Sequence, residues 1–235
     1  MSIKPKVNLL ALDTSTEYLS LALMKGDKTF TFDINAGQTH SQIILPQLQL
    51  LLNEADLQLN ELQCIAFGAG PGSFTGVRIA AGVAQGLGFG AQLPVVSICT
   101  LLALAEASGA DKVIACLDAR MGEVYHAAYE RVSGEWQTVV EPGLYKPEAA
   151  PAIASMGWTG AGSGWQTYAE QLGAVYARQL QAVQPQLLPT ASAILRLAQP
   201  IFARGDAKPA SEALPIYIRN RVALKTTERE QGLRL

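Results

Sequence analysis

The chain is poor in the residues that mark disulfide or metal proteins. Cys64, Cys99 and Cys116 are its only cysteines, widely separated and odd in number. With no C-x-x-C pair, they indicate neither a disulfide framework nor a zinc site, and they read as small buried hydrophobes. His40 and His126 are its only histidines, and neither has a second histidine four residues away. Charge of one sign is lacking too: 18 Lys and Arg against 20 Asp and Glu leave a formal net charge of -2 with no long like-charged block. A protein that grips nucleic acid by its own electrostatics needs clustered Lys and Arg, so any nucleic acid is met through a partner. The most apolar stretch, residues 77–96, is interrupted by Arg78, Gln85, Gln92 and Pro94. It reads as a buried helix and a strand rather than a membrane span. Residues 1–6 carry two lysines but lead into no apolar run of signal-peptide type. The expectation is a cytoplasmic protein without membrane contact.

What is present is material for a sizeable core, since 49% of the residues are apolar. Residues 7–13 form a nearly continuous apolar run ending in Asp13. Residues 18–24 and 29–34 alternate, with Lys25-Gly26-Asp27 as the hairpin between them. Residues 40–55 keep helical spacing, with Thr39 or Ser41 as caps and Pro46 requiring a start within 40–42. A buried strand at 64–67 leads through a glycine-rich loop into a second helix at 77–91, and a strand follows at 94–98. The same grammar restarts with a helix at 101–108 and a strand at 112–118, again ending in an acid. Strands at 123–131 and 135–145 come next, then helices at 147–156, 164–172 and 190–203, with an extended stretch at 157–160. Leu214 to Arg219 reads LPIYIR, and a polar tail begins near Lys225. Two successive strand–acid–hairpin units imply a duplicated mixed α/β fold. The units expected are an N-terminal domain over 1–100, a smaller domain over 101–214, and a closing segment over 215–235.

The ends of the two acid-terminated strands are the first candidate sites. In the actin, hexokinase and Hsp70 superfamily such a turn reads acid-x-Gly-x-Thr/Ser and holds a phosphate, the glycine letting backbone N–H groups approach it. Here the first turn is Asp13-Thr14-Ser15-Thr16, with Ser15 in place of glycine. The second is Asp118-Ala119-Arg120-Met121-Gly122. Both are weakened as ATP sites, and Asp, Ser and Thr at a turn also serve local backbone hydrogen bonds. Gly160-Ala161-Gly162-Ser163-Gly164 fits an adenosine or, more simply, a tight strand–helix turn. Residues 70–76, GPGSFTG, lie between a strand and a helix start. They suit either an anion, with Arg78 beside it, or an N-cap at Ser73 or Thr75. No Lys-Ser/Thr follows, so this is no Walker loop.

Six stretches carry a more specific likeness: LALDTSTEYLSLAL, THSQIILPQL, GPGSFTGVRIAAGVAQGL, PVVSICTLLALA, LDARMGEVYHAAY and LPIYIRN. In this order they resemble the TsaB (YeaZ) family. The likeness runs through most of 7–130, thins over 131–210 and returns near the end. It implies a shortened, degenerate paralogue of TsaD, the enzyme that forms threonylcarbamoyladenosine at position 37 of tRNAs reading ANN codons. TsaD-type enzymes bind metal through a His-x-x-x-His pair after the strand matching 94–96. The corresponding stretch here is Ser97-Ile98-Cys99-Thr100-Leu101, so no metal and no catalytic residue is expected. The resemblance also implies a scaffold that binds and stabilises TsaD, recruits the ATPase TsaE, and pairs with itself when alone, tRNA being reached through the complex. No cofactor is expected beyond a weak or interfacial ATP or ADP near Asp13–Thr16 and Gly160 and Gly162.

The partner face is expected on the helices at 40–55 and 77–91: His40, Ile44, Leu48 and Leu51, then Gly72, Ser73, Phe74 and Arg78, then Gly82, Gly86 and Gly90. The last three recur every four residues and share one helix face. Each interior glycine costs about 1 kcal/mol against alanine, and close approach of another helix supplies the compensation. Competing functions are a metal-dependent glycoprotease, which lacks its histidine pair, and an ATP-dependent small-molecule kinase, which lacks the turn glycine. His40 reads as a capping or interface residue rather than a base.

Overall fold

The computed structural model describes residues 7–219. The chain opens with an antiparallel meander, β1 (Asn8–Asp13), β2 (Tyr18–Lys25) and β3 (Lys28–Asn35). Helix α1 (His40–Glu54), β4 (Cys64–Gly70), α2 (Phe74–Ala91) and β5 (Val95–Cys99) complete a first unit. Its strands lie in the order β3-β2-β1-β4-β5, with β1, β4 and β5 parallel.

After α3 (Thr100–Ser108) come a second meander, β6 (Lys112–Asp118), β7 (Val124–Val132) and β8 (Glu135–Tyr145), and then β9 (Trp158–Ala161). The short helices α4 (Ser163–Thr167) and α5 (Ala169–Tyr176) lead into β10 (Leu180–Gln184). This sheet has the order β10-β9-β6-β7-β8, strand for strand the order of the first. The duplicated mixed α/β fold expected from the two acid-terminated strands is the fold observed.

The pleat of β1 explains its unbroken apolar run. Leu10 and Leu12 point into a core under α1 and α2, while Leu9 and Ala11 point to the opposite face. A strand covered on both faces has no polar position to spare. That opposite face is covered from far along the chain by α6 (Ala191–Ala203), whose Ile194, Leu195 and Ala198 pack with Leu9, Ala11 and Ile98. Residues 191–213, grouped by sequence with the second unit, therefore build on the first sheet. Ala210 and Ala213 join the core under α1 and α2. Helix α3 lies between the units, with Leu101 and Leu104 on the second sheet's core and Ala103 beside α6.

Two local expectations are corrected. Residues 147–156 form only a single helical turn at Pro147–Ala149, because Pro151 removes a backbone donor and holds Ala150 extended. The helix expected at 164–172 is broken at Tyr168, so that α4 buries Trp165 while α5 buries Leu172 and Tyr176. Residues 214–219 form neither helix nor strand. The polar tail expected from Lys225 lies outside the described residues. Among the described residues, no helix is long and apolar enough to cross a membrane.

Candidate functional site

At the end of β1 the Asp13 side chain is completely enclosed. Its Oδ2 accepts from the Ser15 amide at 3.2 Å and the Ser15 hydroxyl at 2.8 Å, while Oδ1 has no partner among the described residues and is pressed against the backbone of Gly68. Burial pushes its pKa up to about 6, against the lowering effect of the two Ser15 hydrogen bonds.

Thr14 and Ser15 are engaged by the GPGSFTG loop, while the Thr16 hydroxyl accepts from the Tyr18 amide at 3.2 Å. Thr14 Oγ1 donates to the Gly76 carbonyl at 2.7 Å, and the Ser73 amide donates to the Ser15 carbonyl at 2.7 Å. A Cβ on Gly72 would strike Ser15, and one on Gly76 would strike the Thr14 carbonyl. These two glycines let one loop lie directly on the other. Ser73 is the N-cap of α2, accepting from the Gly76 amide at 3.3 Å, which starts this helix three residues before the expected 77. Thr39, at the start of α1, instead donates its hydroxyl to the Ala36 carbonyl and leaves the helix without a side-chain cap.

Gly160 and Gly162 are also closed off. Side chains there would collide with the Trp165 ring and with Leu104 and the Cys116 carbonyl, respectively. Their neighbours come from the second unit and α3, so this segment is a tight strand–helix turn lying against β6. The second acid turn stands open by comparison. Asp118 Oδ1 accepts from the Arg120 amide at 2.9 Å and from Tyr168 at 3.3 Å, and Arg120 and Met121 point outward.

The expected partner face divides in two. His40, Ile44, Leu48 and Leu51 are all buried within the chain, on the side of α1 that faces the sheet. Their helical spacing is a signature of burial, and it does not say whether the covering surface is internal. The outward side of α1 carries Leu45 and Leu50, which are 52% and 59% exposed. On α2, Gly82, Gly86 and Gly90 have nothing among the described residues within 4 Å of a side-chain position, and Phe89 beside them is 61% exposed. Gly88 differs from them, because it is buried against Ala210 and Leu93.

At the start of α2, Ser73, Phe74 and Arg78 reach the surface and Gly72 is half-buried. The Arg78 guanidinium donates to the Phe74 carbonyl at 2.8 Å, lies 3.4 Å from the centre of the Phe74 ring, and faces Tyr217 at 4.8 Å. A pocket of about 310 Å³ opens here between the two units, lined by Pro71, Phe74, Arg78, Tyr125, Tyr217 and Arg219 among others.

His126, which carried no expectation, is fully buried on β7. The Tyr176 hydroxyl donates to the Pro151 carbonyl at 2.7 Å, so its oxygen accepts from His126 Nε2 at 2.8 Å and Nδ1 is left without a partner. Burial lowers the His126 pKa to about 4. Cys64 and Cys116 are core residues whose thiol pKa values burial raises, that of Cys64 to about 12. Cys99 is half-buried, 3.7 Å from the Tyr129 hydroxyl. Among the described residues no three His, Cys, Asp or Glu side chains gather as a metal site.

Two sheets of one strand order, each opening on a hairpin with an acid at the end of its first strand, define a duplicated actin-like, ribonuclease H-like α/β protein. Comparisons with known proteins narrow that class. The family model of TsaD, tRNA N6-adenosine threonylcarbamoyltransferase, matches residues 34–199. The tRNA threonylcarbamoyladenosine biosynthesis protein TsaB of Escherichia coli (strain K12) is 39% identical over 228 residues, covering 93% of this chain and 97% of that protein. The protein of the same name from Haemophilus influenzae is 39% identical over 233 residues, covering 93% and 96%. The solved structure of YeaZ from Pseudomonas aeruginosa superposes with a TM-score of 0.84 at 40% identity, covering 90% of this chain and 99% of that one. The chain belongs to the TsaB (YeaZ) family.

Proposed function

We propose that the chain acts in the formation of threonylcarbamoyladenosine on tRNA as a subunit that performs no chemistry of its own. It binds a TsaD-type catalytic subunit through the outward face of α1 and α2 and holds that subunit in its working shape. A TsaE-type ATPase acts on the assembled pair, tRNA is engaged by the complex, and in the absence of the catalytic subunit the same face pairs two copies of this chain. The observation that carries this reading is the row of Gly82, Gly86 and Gly90, which have nothing within 4 Å of a side-chain position among the described residues, with exposed Phe89 on the same helix and exposed Leu45 and Leu50 on α1. Interior helical glycines cost stability, and among the described residues nothing packs on these positions to offset it. Small residues between apolar ones suit a helix that must lie close against another. The non-catalytic role is supported by the first turn, where Thr14 and the Ser15 backbone are bonded to the Gly70–Gly76 loop rather than presented to a ligand.

The test is reconstitution of the modification from purified partners, ATP, threonine and bicarbonate, with and without this chain. Loss of product on omission, restored on return, is the expected result. Full modification without it would overturn the proposal.

A further inference from the structure

The stretch Leu214–Arg219 touches a loop of each unit and belongs to neither sheet. Near its start, the Ile216 amide donates to the Ala69 carbonyl at 2.7 Å, at the head of the GPGSFTG loop, and Tyr217 faces Arg78 on α2. At its end Arg219 reaches the second acid turn. Its Nη2 donates to the Ala119 carbonyl at 3.1 Å and pairs with Glu123 at 2.7 Å, and Nη1 lies 3.5 Å from Met121 Sδ. The Arg219 side chain is 11% exposed, so its pairing with Glu123 is largely withdrawn from water.

The turn that Arg219 grips is strained. Arg120, Met121 and Gly122 have φ values of 62°, 58° and 72°, three successive left-handed residues of which two carry side chains. L-residues resist that conformation, and strained segments persist only where their surroundings over-determine them. The surroundings here are the Asp118 carboxylate on one side and Arg219 on the other.

We propose that Leu214–Arg219 is a latch across the mouth between the two units, coupling the conformation of the Ala119–Gly122 turn to that of the Gly70–Gly76 loop and setting how far the pocket between them stands open. The pocket's outer wall is this segment itself, through Ile216, Tyr217 and Arg219. Among the described residues its backbone hydrogen bonding to the first unit is the one bond from Ile216 to Ala69, beside packing of Ile216 against Gly70 and of Tyr217 against Arg78, while α3 and α6 join the units elsewhere through the Glu106–Arg196 pair. The latch is therefore the connection that can release without unfolding either sheet. This inference does not depend on what docks against α1 and α2.

Coupling is reciprocal, so breaking either end must loosen the other. The experiment is amide hydrogen exchange on the full chain and on two variants, Arg219→Gln at one end and Tyr217→Ala at the other. For Arg219→Gln, exchange is expected to quicken at least tenfold at the Ala119 and Glu123 amides and also at the Ile216 amide. For Tyr217→Ala the same three amides quicken, while amides of β1 and β6 keep their protection in both variants. If each variant loosens only its own end, the segment is not a latch and the proposal fails. Should Arg219→Gln unfold the chain, seen as lost protection in β1 and β6, Glu123→Gln breaks the same pair from the other side, and the Ile216 amide decides the matter as before.

Discussion

The Thr14 hydroxyl donates to the Gly76 carbonyl at 2.7 Å across sixty-two positions of sequence, and both groups are buried. The bond pins the end of β1 to the first turn of α2. Thr14→Val keeps the side-chain shape and deletes this bond while the carbonyl keeps its partner within the helix, at an expected cost of about 1 kcal/mol. The check is the urea midpoint, which should fall with an unchanged m-value. Gly76→Ala should cost more, because its Cβ meets backbone that cannot move without displacing the turn.

Asp13 makes the fold pH-sensitive in an unusual direction. Its folded pKa of about 6 lies above the ordinary 3.8, so the folded state binds the proton more tightly than the unfolded state between those values. Stability is fully present below pH 3.8, declines as pH rises toward 6, and stays reduced above it, by on the order of 3 kcal/mol. Asp13→Asn should remove this slope and stabilise the chain at pH 7. Denaturant midpoints from pH 4 to 8 test it, and equal slopes in the two proteins would count against the assignment. His126, depressed to about 4, contributes the opposite slope below pH 6.5 and should become visible once Asp13 is silenced.

Gly86→Ala separates the chain's own stability from its partner binding. Nothing surrounds that position, so helix propensity alone should raise stability by about 0.5–1 kcal/mol. Gly86→Phe should leave the monomer folded and abolish association with a TsaD-type partner. Titration calorimetry and thermal melting report the two effects separately, and undiminished binding of the phenylalanine variant would show that the face is not the interface.

Glu106 ties the two units. Burial alone would push its pKa up, but hydrogen bonds from Trp136, Arg196 and Arg131 outweigh that and hold it below the usual carboxylate range. Arg131 and Arg196 approach at 2.7 Å each, and Trp136 at 2.8 Å. A lowered carboxylate pKa means stability present above the unfolded value and lost as pH falls through the folded one. Glu106→Gln should cost about 2 kcal/mol at pH 7 and flatten the acid limb of the stability curve. A double-mutant cycle with Arg196→Met should return a coupling energy well above zero.

The residues whose partners lie nearby in sequence were the legible ones. Alternation at 18–24 and 29–34 and the buried run at 112–118 are local patterns, and each of these strands formed where its pattern stood, while α2 took Ser73 of the two cap candidates and so began earlier than expected. What could not be read is long-range. The apolar face of α1 announced burial, but nothing in His40, Ile44, Leu48 and Leu51 says that β1–β4 rather than another protein covers it. β10 is exposed on most of its residues and carries no period. The engagement of DTST by GPGSFTG, and the reach of Arg219 to Glu123, require two distant loops to meet, which no single window contains.

The position of α6 has a consequence for how the protein is made. The Ala191 amide donates to the Ser20 hydroxyl at 2.7 Å, and the helix that begins there seals the underside of a sheet whose last strand ends at Cys99. Synthesis proceeds from the N-terminus at about 5–20 residues per second. The first unit must therefore wait several seconds, with Leu9, Ala11 and Ile98 uncovered, until the chain has emerged past Ala203. During that interval a nascent chain offers an apolar sheet face to chaperones and to its neighbours on the polysome. A chain truncated before α6 should remain in that state permanently.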